Sequence, residues 1–173
     1  FPEKIDIHPG MDSSMLLPTE MPEVLSELVS KPRTRRTVAY INVPYCETRC
    51  LYCLFYIKPY RNKEESNAFA DTLIKELQLW SDKPVQKGEP VHAVYFGGGT
   101  PTALEACDIE RIIKAVRRYL PLANDCEITY EGRLSGFGTD KMEAALAGGA
   151  NRFSLGVQSS DTKIRQAVGR RSD

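Results

Sequence analysis

TVAYINVPYCETRCLYC, residues 37–53, couples an apolar run to three closely spaced cysteines, and that junction decides how the chain is read. Thr37-Val38-Ala39-Tyr40-Ile41-Asn42-Val43 is rich in β-branched and aromatic residues and reads as a strand. Straight after it, Cys46, Cys50 and Cys53 stand at C-x3-C-x2-C spacing. Three thiolates hold three corners of a [4Fe–4S] cube, whereas an ordinary electron-transfer cluster uses four. The fourth iron keeps an open coordination position for a substrate. Zinc fits less well, because it wants four ligands and its usual spacings pair C-x2-C with a second such pair. Cys107, Cys126, His8 and His92 are scattered and form no pair of that kind. A disulfide framework fits poorly too: five cysteines is an odd count, and a chain of 173 residues buries a core without staples. Cys107 and Cys126 are expected to be buried apolar thiols.

Downstream, strand and helix patterns alternate. A helix is expected over 64–80, with Phe69, Leu73, Leu77 and Trp80 on one stripe. A second strand is expected over 91–96, then a helix marked by Ile109, Ile112, Ile113, Val116 and Leu120. A third strand over 127–130 precedes a helix that Asp140 and Glu143 open as a capping box and Gly148-Gly149 close. A fourth strand covers 151–157, and Asp161 caps the last helix. Four βα units with crossovers of this length imply an α/β fold on a parallel sheet, with strands apolar enough for both faces to be covered.

Upstream, 1–17 is irregular, broken by Pro2, Pro9 and Gly10, and 19–30 reads as a short helix with Val24, Leu25, Leu28 and Val29 on one face. Lys31-Pro32-Arg33-Thr34-Arg35-Arg36 is a basic linker, read as a solvated loop with contact to an anionic substrate as the alternative. The chain therefore divides into an extension over 1–36 and an α/β domain over 37–173. It starts without methionine and stops just past a helix, so a longer parent protein is expected.

With 42% hydrophobic and 27% charged residues, composition is that of a soluble globular domain. Balance between 23 basic and 23 acidic side chains argues against a general nucleic-acid binder. No apolar run is long enough to span a bilayer, and no signal peptide opens the chain, so no membrane partner is expected. Free cysteines that ligate iron fit a reducing compartment, hence the cytoplasm.

In parallel barrels the active site gathers at the carboxyl ends of the strands. Each unusual group falls at such an end: the cysteines, then Gly97-Gly98-Gly99-Thr100-Pro101, then Glu131, then Gln158. A glycine triplet after a strand is often a plain turn. Beside the cysteines, its open backbone suits the approach of a zwitterionic ligand. Glu131 suits ribose hydroxyls. Tyr52 is a candidate to stack on adenine, and Tyr45 to pack on the cluster. Arg170 is a candidate for a carboxylate, which a guanidinium binds bidentately. His92 lies inside a strand and is read as structural, as is His8.

Tyr40 to Cys46, Phe96-Gly97-Gly98-Gly99-Thr100-Pro101-Thr102, and Asn151-Arg152-Phe153-Ser154-Leu155-Gly156-Val157-Gln158 together resemble the coproporphyrinogen III oxidase-like branch of the radical S-adenosylmethionine (SAM) superfamily. The resemblance implies a partial (β/α) barrel, of which this chain covers about the first four βα units. It implies that Cys46, Cys50 and Cys53 ligate and activate the cluster, and that Tyr40, Gly98, Gly99, Thr100, Glu131, Gln158 and Arg170 contact SAM. Within the branch, Asn42 stands where the oxidase and a haem chaperone usually carry histidine, and Glu131 is followed by Gly132-Arg133 rather than a proline-containing segment. With Cys50-Leu51-Tyr52-Cys53, this looks like the haem-utilisation, anaerobilin synthase-like subgroup, although Leu54 departs from the glycine expected there. The resemblance implies a tetrapyrrole methyltransferase or oxidoreductase that opens the haem ring and frees iron, fed by a flavodoxin-like or other low-potential donor. Arg33, Arg35, Arg36 and Arg133 are candidates to face haem propionates. The alternatives are a coproporphyrinogen III oxidase acting on another porphyrin, and a haem-binding chaperone that is no enzyme.

Overall fold

Parallel pairing sets the architecture of the computed structural model, which describes residues 17–170. The opening expected to be irregular, 1–17, lies outside the described residues except for Leu17, as does His8. Helix α1 (Met21–Ser30) leads to β1 (Thr37–Val43), and two short strands, β2 (Tyr45–Cys46) and β3 (Lys58–Pro59), bracket the cysteine loop. There follow α2 (Lys63–Ser81), β4 (Val91–Gly98), α3 (Ala106–Tyr119), β5 (Leu122–Arg133), α4 (Thr139–Gly148), β6 (Arg152–Gly156) and α5 (Thr162–Ala167). The main sheet runs β1-β4-β5-β6, all neighbours parallel, so each crossover advances by one strand. The expected α/β fold on a parallel sheet is what forms.

Register separates the two faces. Ile41, Phe96, Tyr130 and Phe153 share one row, and Tyr40, Tyr95, Thr129 and Arg152 share the row beside it. Because side chains alternate across a strand, these rows face opposite ways. The first joins Val43, Val94 and Ile128 in a core closed by Ile109, Ile112, Ile113 and Val116 of α3. Those isoleucines recur at helical spacing, so one stripe is buried and each contributes roughly 2 kcal/mol. The other face carries Tyr40, Tyr95, Thr129 and Arg152 and is only partly covered: Val38 and Tyr40 are more than half exposed, while Thr129 is buried. Helices thus cover one face of the four-stranded sheet, not both as the apolar strands led one to expect.

Other expectations are corrected by the same packing. β5 is longer than 127–130, and Glu131 sits within it, not at its end. Helix α4 starts after Gly138 with no side-chain cap, which puts Asp140 at the second helical position, too far in to close a box with Glu143. Its charge still complements the helix N-terminus. Gly149 ends α4 in the left-handed region (φ 110°), as foreseen. Cys107 is exposed, since α3 turns its Ile109 side inward, whereas Cys126 is buried as expected. On α1 no residue is buried; the helix lies against the 84–86 turn, the 31–37 linker and the Leu79-Trp80 end of α2.

Candidate active site

The cysteine loop is pinned at its neck. Lys58 N donates to the Pro44 carbonyl at 2.7 Å and Tyr60 N to the Cys46 carbonyl at 3.0 Å, which pairs β2 with β3. Inside the neck, Leu51 N donates to the carbonyl of Val168 at 3.0 Å, tying the loop to the end of α5. The glycine turn after β4 is fastened to the same stretch: Gly99 N donates to the Val43 carbonyl (2.8 Å) and Thr100 N to the Tyr45 carbonyl (2.7 Å). A Cβ on residue 99 would stand 2.6 Å from that Tyr45 oxygen, so only glycine permits this approach. Gly98 has φ 102°, a second reason for the turn's composition.

These constraints form a cavity of about 150 Å³. Cys46, Cys50 and Cys53 line one side of it, with Tyr52 and Phe55 from the same loop. Gly98 and Gly99, Glu131 and Arg133 of β5, and Gly156, Gln158 and Arg170 complete the wall. Thr100 and Tyr40 are outside this lining. Thr100 is buried beneath it, its hydroxyl 3.1 Å from Cys46 Sγ. Tyr40 lies on the inner face and stacks parallel on Tyr95, ring centroids 6.1 Å apart. A Cβ at Gly97 would be 2.8 Å from the Tyr40 hydroxyl and 3.2 Å from Glu131 Oε2, so the missing side chain leaves a gap both polar groups share. Burial, then the Glu131 carboxylate, pushes the Tyr40 phenol up; burial and Glu131 likewise raise Tyr95, against its hydrogen bond to Ser154. Burial raises the Tyr52 phenol and Cys50 adds to this, while Arg170 opposes it. Tyr52 therefore stands between the cysteine loop and Arg170.

Arg170 is only 7% exposed. Its Nη1 donates to the Gly156 carbonyl, and its buried Nε has no partner. A buried cation with an unused donor is costly unless an anionic acceptor meets it. Gln158 is the non-glycine residue with positive φ (65°) among the described residues, a strained conformation of the kind that aims side chains at functional sites. No three His, Cys, Asp or Glu side chains of the described residues converge as ligands of a single ion. Thiolates on different irons of one cube need no such convergence. The three cysteines in one cavity with a buried guanidinium whose Nε is unused and an open-backbone turn fit a cluster carrying a zwitterionic ligand.

The basic linker does not reach this end of the sheet. Arg33 Nε donates to the Glu89 carbonyl and Nη1 to Gln86 Oε1, and Arg36 Nη2 is 3.5 Å from His92 Nδ1, beside the start of β4. Parallel strands begin there, so Arg33 and Arg36 are at the opposite end from the cysteines. Arg133 is on the cavity wall, but its guanidinium is engaged by Thr48 and Cys50. Its nearness to the cysteines was missed at the level of sequence. Placing it two residues after Glu131 on a longer strand would have put both on one face.

Residues 40–173 match the family model described as the Radical SAM superfamily. The chain is 42% identical over 155 residues to anaerobilin synthase of Escherichia coli O157:H7, covering 89% of this chain and 35% of that protein. It is 35% identical over 147 residues to the heme chaperone HemW of Synechocystis sp., covering 78% and 33%. Among solved structures, coproporphyrinogen III oxidase (HemN) from Escherichia coli superposes with a TM-score of 0.74 at 27% identity, covering 88% of this chain and 34% of that one. The chain thus spans about a third of the length of the curated proteins it matches.

Proposed function

The chain belongs to the radical SAM superfamily, in its coproporphyrinogen III oxidase-like branch, and from that premise we propose that it is the cluster- and SAM-binding part of an enzyme that methylates haem and opens its ring without oxygen. The observation that carries this reading is the meeting of Cys46, Cys50 and Cys53 with Gly98, Gly99, Glu131, Gln158 and Arg170 around one cavity. When bound, the cluster supplies the electron that splits SAM into methionine and a 5′-deoxyadenosyl radical. The chain's own residues bind and orient. The cysteine thiolates are the ligands. Arg170, buried with a free Nε, is the group for the SAM carboxylate. The Gly98-Gly99 backbone gives the amino group room to approach. Glu131, with the Tyr40 hydroxyl across the Gly97 gap, accepts from the ribose hydroxyls, and Tyr52 flanks the adenine. Low-potential electrons come from a flavodoxin-like donor.

Similarity to anaerobilin synthase over 89% of the chain favours haem as substrate, as do Asn42 and Glu131-Gly132-Arg133. The full-length protein, reconstituted anaerobically with iron and sulfide, is given SAM, a reductant and haem. Loss of the haem absorption band, with a methylated open-chain tetrapyrrole and 5′-deoxyadenosine by mass spectrometry, is the expected result. Intact haem, with SAM cleaved only when coproporphyrinogen is supplied, would replace this reading by the oxidase. Intact haem and intact SAM under both conditions would replace it by the chaperone.

A further inference from the structure

Arg133 ends β5 with its charge directed at the cysteine loop. Its backbone N–H donates to Thr102 Oγ1 at 3.2 Å, fixing where the side chain leaves the strand. Nη1 donates to Thr48 Oγ1 at 2.9 Å, and Nη2 to the Thr48 carbonyl at 3.0 Å. Nη2 also lies 3.5 Å from Cys50 Sγ and 3.9 Å from Cys46 Sγ. Among the described residues no carboxylate forms an ion pair with Arg133. The cation is therefore half-buried, held in one orientation by Thr48, and faces two sulfurs rather than an acid. An anchored, delocalised cation at this place has an electrostatic consequence for whatever those sulfurs carry.

We propose that Arg133 is a positioning residue that sets the reduction potential of the cluster held by Cys46, Cys50 and Cys53. This rests on the cluster reading given above. Reduction adds one electron, and therefore one negative charge, to the cluster and its thiolates. A fixed guanidinium beside two of the three ligands, donating to their sulfurs, favours the more negative state. It thereby raises the potential and makes the cluster easier for an external donor to reduce. The same contacts hold Thr48 and the loop between the first two cysteines, so the charge keeps its distance from both sulfurs.

Full-length wild type, Arg133→Met, Arg133→Lys and Thr48→Val are reconstituted anaerobically, assayed for iron and sulfide, and titrated with a low-potential reductant while electron paramagnetic resonance follows the reduced cluster. Arg133→Met with wild-type iron content is expected to show a roughly tenfold smaller reduced-to-oxidised ratio at a fixed potential, which is a midpoint lower by about 59 mV. Arg133→Lys, which keeps the charge but not the fork, is expected between the two. Thr48→Val, which removes the Oγ1 acceptor and leaves residue 48 holding the guanidinium by its carbonyl alone, is expected to shift in the same direction by less. An Arg133→Met midpoint equal to wild type at equal iron content overturns the proposal. If that variant does not load iron, wild-type midpoints in both other variants overturn it. A wild-type protein that takes up no iron would overturn the cluster reading itself, and this inference with it.

Discussion

Gly97 and Gly99 show how single atoms govern the site. A methyl group on residue 97 would meet the Tyr40 hydroxyl at 2.8 Å and Glu131 Oε2 at 3.2 Å. Tyr95 Cε1 stands as close, at 2.9 Å. All three are side-chain rather than backbone atoms, so Gly97→Ala is expected to displace the Tyr40–Tyr95 stack and Glu131 and to disturb ligand geometry. Its SAM dissociation constant is expected to rise about tenfold, roughly 1.4 kcal/mol, read by equilibrium dialysis on the reconstituted full-length protein; an unchanged constant would remove Glu131 from the ribose role. At residue 99 the obstacle is the Tyr45 carbonyl, which cannot move without shifting Cys46 next to it. Tyr130 carries a different single-residue effect. Its phenol is fully buried and donates to the Pro101 carbonyl at 2.9 Å, and burial pushes its pKa well above the usual 10. The folded state thus keeps a proton that the unfolded chain releases above about pH 10. Stability is full below that pH and falls as pH rises above it. Urea midpoints measured through this range should fall less steeply in Tyr130→Phe than in wild type.

Among the elements, α2 and α3 are joined by a buried polar link that hydrophobic patterning does not announce. Asp108, 1% exposed in the first turn of α3, accepts from the Ser66 hydroxyl of α2 at 2.7 Å and pairs with Arg111 at 2.9 Å. Ser66 in turn accepts from Glu105 N at 2.9 Å. Asp108→Ala leaves Ser66 without its acceptor in a dry interface and is expected to cost about 1–3 kcal/mol in denaturant unfolding. Helix α5 matters for another reason. Asp161 accepts from the backbone of Lys163 (2.7 Å) and Ile164 (3.2 Å) at its start. Val168 and Gly169 at its end meet the cysteine loop just before Arg170. Asp161→Ala should cost about 1 kcal/mol in denaturant unfolding and raise the SAM dissociation constant of the reconstituted full-length protein.

At the scale of the molecule, the core and the cavity are separate. The cluster of buried side chains joining β1, β4 and β5 to α2, α3 and α4 contains none of the three motif cysteines. Chelating iron from the loaded protein should abolish its visible absorption and leave the far-ultraviolet circular dichroism of the α/β fold unchanged; a collapse of that signal would make the cysteine loop part of the core. The periodic runs, the C-x3-C-x2-C spacing, the glycine turn and the Asp161 cap were all legible in the chain, because each is set by neighbours a few residues away. They sufficed for the parallel sheet and for the grouping of cysteines, Glu131, Gln158 and Arg170 at one end of it. Tertiary packing alone decided that one sheet face stays only partly covered, that Asp140 falls inside α4 rather than at its cap, that Cys107 faces outward, and that Arg133 turns to the cysteine sulfurs while Arg33 binds the opposite end. Those outcomes depend on which distant strand or helix lies opposite each side chain, and local periodicity holds no record of that.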